Sequence, residues 1–179
     1  LHERAGSTHV IHLHGELTKV RSTKNENRIY ELSPDHYEIK ADETDRYGDR
    51  LRPHIVWFGE AVPMIEPAIE IPEEADIFVV IGTSLNVYPA AGLLRYVRPQ
   101  VPIYLIDPKE VKVPVDRSVR VIQKGASEGV AELIALLRRQ SLLPTIKAVP
   151  KIRDGFYRIA SFQACFTCCC LMASTTLIT

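Results

Sequence analysis

The spacing of hydrophobic and polar positions changes several times along the chain, and each spacing predicts an element. Residues 77–81 (IFVVI) are continuously apolar, which is typical of a parallel strand covered on both faces. The stretches VPIYLID, residues 101–107, and VRVIQ, residues 119–123, predict two more strands. In residues 125–139, apolar side chains recur at i, i+3, i+4 and i+7, which predicts a helix that Ser127 can cap.

The first half of the chain gives weaker patterns. Residues 9–20 alternate well enough to predict one strand that leads into a polar stretch. The segment EPAIEIPEEA predicts part of a helix, which Pro67 and Pro72 interrupt. Pro89 suits the first turn of a further helix through AAGLLRYV.

The alternation of strands and helices predicts an α/β fold, a Rossmann-like doubly wound parallel sheet that is incomplete and carries a small inserted module. We expect the Rossmann-like domain to comprise residues 1–17 and 53–140. Residues 18–52 form the inserted module, since a loop of that length with no fold of its own would be unusual. Residues 141–179 show no sustained period, and we expect an irregular tail there.

Composition and charge narrow the functional classes. The chain has 22 basic and 22 acidic residues, so no net charge favours nucleic acid or an anionic membrane as a partner. All four cysteines lie within residues 165–170, where a single CxxC is a weak zinc signal. The cysteines therefore form no spread disulfide framework, and no basic-then-apolar leader opens the chain. We expect a cytoplasmic protein whose apolar last residues do not span a membrane.

Small and polar residues follow the predicted strands. Gly82, Thr83 and Ser84 come directly after residues 77–81, and Asp107 ends the next strand. Open α/β sheets bind ligands at the carboxyl ends of their strands, and an acid there often holds ribose hydroxyls. Ala126, before the last helix, is small enough for a flat ring to lie against it. Each segment also has an ordinary interpretation, as a tight turn or as a turn residue before a proline.

Two further segments carry candidate chemistry. HVIHLHGEL contains three histidines, and on one strand His12 and His14 would share a face. A metal site needs more ligands than this pair, and a hydrogen-bonded structural role is commoner. Gly15 marks a strand end beside His14, where a neutral imidazole suits proton transfer near neutral pH. In WFGE, Trp57 and Phe58 could form a platform for an extended peptide or could be buried in the core.

Four segments in register resemble one family. HLHGEL, RPHIVWFGE, IGTSLNVYPAAG and the late GAS before a helix are similar to the C-terminal two-thirds of a sirtuin, an NAD-dependent protein-lysine deacylase. The similarity covers roughly residues 1–138. The residues of the second and third segments most resemble the bacterial branch related to desuccinylases.

The resemblance implies NAD as cofactor, acyl-lysine proteins or peptides as substrates, and transfer of the acyl group to ADP-ribose with release of nicotinamide. His14 would be the general base. The resemblance implies an NAD site formed by Gly82, Thr83, Ser84, Asp107, Pro108, Lys109 and Ala126. It implies that the acyl-lysine is flanked by Val56, Phe58, Gly59 and Glu60 on one side and by Asn86, Val87 and Tyr88 on the other.

The sequence departs from the family in three respects. Where the family has zinc-binding cysteines, this chain has Ser22, Asn25, Thr44 and Tyr47, so we expect no zinc. Asp107 stands where the family usually has Asn, and it can accept but not donate as an amide does.

The third departure concerns the family's glycine-rich NAD loop, its Gln-Asn-x-Asp motif and the Tyr/Arg pair that selects acidic acyl groups, which would all lie upstream of Leu1. We therefore expect a truncated, weakly active or inactive form with an exposed sheet edge. The alternative is a catalytically dead remnant that binds ADP-ribose or peptide. The acyl preference, the substrate proteins and the oligomeric state stay open.

Overall fold

The computed structural model describes residues 2–35, 38–113, 117–141, 157–164 and 171–178. In chain order its strands and α-helices are β1 (His9–His12), β2 (Gly15–Ser22), β3 (Ile29–Glu31), β4 (Leu51–Ile55), α1 (Ile65–Glu74), β5 (Ile77–Ile81), β6 (Ile103–Ile106), β7 (Val119–Ile122), α2 (Ala126–Ser141), β8 (Tyr157–Ala164) and β9 (Leu171–Ile178). Short 3-10 helices cover Glu3–Ala5 and Ala90–Tyr96.

The chain divides into two compact units. The large unit comprises Leu1–Leu13 and Pro63–Thr179, and the small unit comprises His14–Val62. The small unit contains more residues than the predicted module of residues 18–52. Strand β2 pairs with β4, so both strands belong to the small unit over their full length. The two units are described separately below.

The large unit is built on a six-stranded sheet with the order β1-β9-β8-β5-β6-β7. Strands β8, β5, β6 and β7 run parallel, whereas β9 and β1 are antiparallel to their neighbours. All five residues of β5 and all four of β6 are buried, which confirms the strands predicted from continuous apolar runs. The α/β class with a parallel sheet is thus confirmed.

Helix α2 covers one face of this sheet. Leu133 packs in the core with Ile77, Val79 and Tyr104, and Val130, Leu136 and Leu137 pack against that cluster. Gly129 lets the helix approach closely, because a Cβ there would lie 2.2 Å from Ile106 Cγ2. Helix α2 already begins at Ala126, so Ser127 lies inside its first turn and the predicted cap is wrong.

The prolines affect the helices less than predicted near α1 and more than predicted after Pro89. Helix α1 continues through Pro67 and Pro72 without a break. Pro67 lies in the first turn, where its missing N–H is not needed, and Pro72 lies in the last turn and is buried. After Pro89 the chain forms a 3-10 helix rather than an α-helix, and its leucines are buried.

The single strand predicted for residues 9–20 is wrong. The chain turns at Leu13 and His14, so that β1 belongs to the large unit and β2 to the small one. This turn breaks the alternation on which a shared face of His12 and His14 depended. The next residue, Gly15, has a φ of 87°, a left-handed conformation that favours glycine.

The expected irregular tail also differs from the structure. Tyr157–Ala164 pairs in parallel with β5, and Leu171–Ile178 continues the sheet toward β1. The edge of β5 that does not pair with β6 is therefore covered by β8. The segment forms a strand in spite of its weak periodicity because its backbone can pair along the free edge of β5. The CxxC at Cys165 and Cys168 lies outside the described residues. Among the helices described here, none has the length and apolar content needed to cross a membrane.

Candidate functional site

Three loops of the large unit leave the sheet side by side. Because β5, β6 and β7 are parallel and in register, Gly82, Asp107 and the segment before α2 follow their strands at the same end. Backbone hydrogen bonds join the strand ends, from Gly82 N–H to the Ile106 carbonyl at 2.9 Å and from Asp107 N–H to the Ile122 carbonyl at 3.3 Å. This is the sheet edge at which open α/β folds bind dinucleotides.

The loop after β5 is held by its own side chains. Gly82 has a φ of 61° and Leu85, which is buried, has a φ of 55°. The Thr83 hydroxyl, also buried, accepts a hydrogen bond from the Leu85 N–H at 3.2 Å. Thr83 therefore stabilises the loop, whereas the side chain of Ser84 is exposed. Asn86, Val87 and Tyr88 follow as exposed residues.

The loop after β6 is organised by Asp107. This residue is 7% exposed, and its Oδ1 accepts the Lys109 N–H at 2.8 Å. One carboxylate oxygen thus closes a turn around the exposed Pro108. Asp107 is therefore a turn residue before a proline, which was the ordinary interpretation of this segment. Lys109 and Ala126 are exposed at the same sheet edge, where α2 begins.

His14 occupies the turn that opens the small unit. It is 5% exposed, and burial lowers the pKa of its imidazole below the usual value. Its carbonyl accepts the Val56 N–H at 2.9 Å, so the histidine is tied to the residue that follows β4. Behind it, Gly15 is pressed against the His54 backbone, where a Cβ would lie 2.0 Å from the His54 carbonyl oxygen.

The residues after β4 form an exposed aromatic turn. Trp57 is 54% exposed and Phe58 is 83% exposed, which contradicts the alternative in which both rings are buried in the core. Gly59 has a φ of 89°. Glu60 is bound by a guanidinium, since Arg52 donates to its two carboxylate oxygens at 2.6 and 3.1 Å. Val56 to Glu60 thus lie together with His14 in one unit.

His9 and His12 have local partners. The His9 ring lies 3.0 Å from the Thr8 hydroxyl, and His12 Nε2 lies 2.8 Å from the Glu3 carboxylate. Across the described ranges, no group of three or more His, Cys, Asp or Glu side chains could hold a metal ion.

Ser22 and Tyr47, two of the four positions at which the resemblance implied zinc ligands, belong to a network around Arg28. Its guanidinium forms ion pairs with Asp45, at 2.8 Å, and with Asp49. It also donates to the Ser22 hydroxyl at 3.1 Å and lies over the Tyr47 ring, 4.6 Å from the centroid. These hydrogen bonds and ion pairs join the end of β2 to the segment that leads into β4.

Sequence reasoning missed three arginines, Arg21, Arg28 and Arg52. Charged residues in a polar stretch gave no local signal, because their partners are distant in sequence. Arg21 lies directly opposite Arg52 and needs a compensating acid, but this pairing depends on the register of β2 on β4, which shifts between Glu16 and Val20 and has no local signal.

Comparisons with known proteins identify relatives of this chain. The Sir2 family profile matches residues 1–89. An "NAD-dependent protein deacylase" of Bacteroides thetaiotaomicron is 61% identical over 140 residues, which cover 76% of this chain and 60% of that protein.

Two solved structures are similar in fold as well. A Sir2 homologue in complex with NAD superposes with a TM-score of 0.65 at 37% identity, covering 78% of this chain and 55% of that one. Sir2Tm bound to a propionylated peptide gives a TM-score of 0.60 at 27% identity, covering 77% and 60%. The chain thus spans a little over half the length of the relatives that it matches.

Proposed function

Because this chain belongs to the Sir2 family, we propose that it acts as an NAD-dependent protein-lysine deacylase, or as the larger part of one. The observation that carries the proposal is the His14 turn, in which a buried imidazole is joined through its backbone to the segment that begins the exposed aromatic turn.

The residues at the edge of the parallel sheet fit a dinucleotide. They combine a glycine with positive φ, an exposed hydroxyl on Ser84, a buried carboxylate on Asp107 and the start of α2. Backbone N–H groups and a helix N-terminus suit phosphates, and a carboxylate suits ribose hydroxyls. NAD, when bound, supplies the ADP-ribose group that takes up the acyl group as nicotinamide leaves. Gly82, Ser84, Asp107 to Lys109 and Ala126 would hold it.

His14 would act as the general base. Since burial lowers the pKa of its imidazole, the ring is neutral at neutral pH and one nitrogen can accept a proton from a ribose hydroxyl. Burial also excludes water from that proton transfer.

The exposed turn would bind the acyl-lysine peptide. Phe58 offers an apolar surface to the lysine stem and acyl chain, because its side chain is 83% exposed. The resemblance also implies peptide contacts for Asn86 and Val87, which are exposed.

We further propose that the acyl groups include succinyl as well as acetyl. The residues of the WFGE and GTSLNVYPAAG segments, which resemble those of the desuccinylase-related branch, support this proposal. The cluster of all four cysteines at residues 165–170 supports a cytoplasmic location, which fluorescence microscopy of the tagged chain would test. The balance of 22 basic and 22 acidic residues supports partners other than nucleic acid and anionic membranes.

Nicotinamide release from NAD tests the activity. Release should require an acetyl-lysine or succinyl-lysine peptide and should be lost in His14→Ala. The matched control is His9→Ala, since His9 is exposed and interacts with the neighbouring Thr8. Equal release by His14→Ala and wild type would remove His14 from the mechanism.

A second candidate is binding of ADP-ribose without turnover, which the residues at the edge of the parallel sheet would support by themselves. Calorimetry with ADP-ribose, combined with the nicotinamide-release assay, distinguishes the binding module from the enzyme. Binding without peptide-dependent release indicates a binding module, and release indicates the enzyme.

A further inference from the structure

Trp57 to Glu60 form a tight turn directly after β4. The Glu60 N–H donates to the Trp57 carbonyl at 3.0 Å, and Gly59 in the third position has a φ of 89°, as a type II turn requires. Trp57 and Phe58 are both exposed. Exposed residues contribute little core packing, so a turn of this kind depends on polar contacts to keep one shape.

Glu60 makes such contacts. Its Oε2 accepts the Trp57 N–H at 3.0 Å, so two reciprocal hydrogen bonds join the first and last residues of the turn. Both carboxylate oxygens also accept from the Arg52 guanidinium, which in turn donates to the Ile55 carbonyl at 3.2 Å. The turn is thereby fixed to the strand that precedes it.

A second arginine shows why a carboxylate is needed at this point. Arg21 on β2 lies directly opposite Arg52 on β4, and like charges in that position destabilise an antiparallel pair. Arg21 is buried, and its Nη2 lies 3.5 Å from Glu60 Oε2. One carboxylate therefore compensates two cations and binds one backbone N–H. The Arg52 hydrogen bonds and the Trp57 N–H lower the pKa of Glu60 to about 2, so it is ionised at neutral pH.

We propose that Glu60 is a positioning residue for this turn, acting through Arg52 and the Trp57 N–H rather than by contact with the acyl-lysine. The inference rests on the proposed function, in which the turn binds the peptide. It changes the role that the resemblance implied for Glu60, because both of its oxygens already accept charge-assisted or backbone hydrogen bonds. Phe58 and Gly59 keep their role as peptide contacts.

The only tryptophan of the chain, Trp57, reports on the turn directly. In Glu60→Gln we expect a larger nanosecond component in the Trp57 fluorescence anisotropy decay, because the turn loses its charge-assisted anchor. An acetyl-lysine peptide should bind about tenfold more weakly, as expected for the loss of a hydrogen bond between charged groups. The matched control is Glu26→Gln, which removes another carboxylate near Arg21, at 3.8 Å, outside the turn. It should leave both measurements at wild-type values.

Arg52→Lys is a second variant, which keeps the charge but loses the planar fork. A positioning role predicts that it reproduces both changes, and that the double variant Arg52→Lys/Glu60→Gln loses little more than either single variant.

Two other outcomes are informative. If Glu60→Gln weakened only peptides with basic flanking residues and left the anisotropy decay unchanged, Glu60 would contact the substrate and the proposal would be wrong. If the wild-type chain bound no acetyl-lysine peptide, the proposed function would fail, while faster Trp57 motion in Glu60→Gln would still support the role of Glu60 in holding the turn.

Discussion

Gly15→Ala is expected to destabilise the small unit by about 3–5 kcal/mol, which is more than the conformation of the residue alone explains. Gly15 combines a φ of 87° with contact to a neighbouring strand, since a Cβ would lie 2.0 Å from the His54 carbonyl oxygen and 2.8 Å from its carbonyl carbon. These are backbone atoms, so no side chain can move aside to relieve the overlap.

The magnitude has two parts. A left-handed conformation costs an alanine about 1–2 kcal/mol. The overlap forces apart the end of the β2/β4 pair, where Gly15 is opposite Ile55 and Glu16 is opposite His54. Lost hydrogen bonds at about 1 kcal/mol each, and partial exposure of the buried Ile55, add about 2–3 kcal/mol.

Gly48→Ala is the matched control. Gly48 has a similar φ of 80°, but a Cβ there would meet nothing within 4 Å. Urea unfolding followed by the single tryptophan, Trp57, measures both variants in the same unit. Gly48→Ala should cost only the conformational part, about 1–2 kcal/mol. Equal losses in the two variants would refute the close approach of Gly15 to β4 and the reason given for the position of His14.

Three other changes test other parts of the chain. Gly129→Ala should destabilise by about 1–2 kcal/mol in chemical unfolding, because its Cβ would lie 2.2 Å from Ile106 Cγ2 and this overpacking outweighs the gain in helix propensity. Arg28→Met should lower the free energy of unfolding, since it leaves the buried Asp45 carboxylate without its ion pair, while a zinc chelator should leave wild-type unfolding unchanged. The stabilisation from Glu60, whose pKa falls from 4.5 to about 2 on folding, should be present above pH 4.5 and lost as the pH falls toward about 2, and Glu60→Gln should lack this acid-dependent loss.

Each of these changes has a control. Gly125→Ala meets no atom within 4 Å and should be nearly neutral, and a comparable loss there would contradict the packing argument. Arg46→Met removes a contact with the Tyr47 ring, at 4.9 Å, and should lower the free energy of unfolding by at most about 1 kcal/mol. A lower unfolding midpoint with chelator would overturn the expectation of a metal-free module. Glu26→Gln should retain the acid-dependent loss of stability.

The family resemblance, carried by short motifs, led to the correct family because each motif meets a local requirement. Gly15 must adopt positive φ where the chain turns into β2, Gly82 must turn the chain after β5, and an apolar run such as residues 77–81 is buried on both faces. These requirements act within a few residues, so they can be recognised in the sequence.

Other features depended on partners far along the chain. Nothing local in Arg52 or Arg21 predicts that both face Glu60, and nothing local in Tyr157–Ala164 predicts pairing with β5. The turn at Leu13 and His14 was missed because alternation looks the same on both sides of it.

The sequence by itself therefore determined the α/β class, the buried strands, the glycines at strand ends and the family, because burial and backbone conformation leave a periodic or local mark. Only the tertiary structure decided which charged groups compensate one another, which strand covers β5, and that His14 is buried beside the turn of Val56 to Glu60. Strand register and ion pairing arise when distant segments are brought together, and their free energy is not encoded in any single stretch of residues.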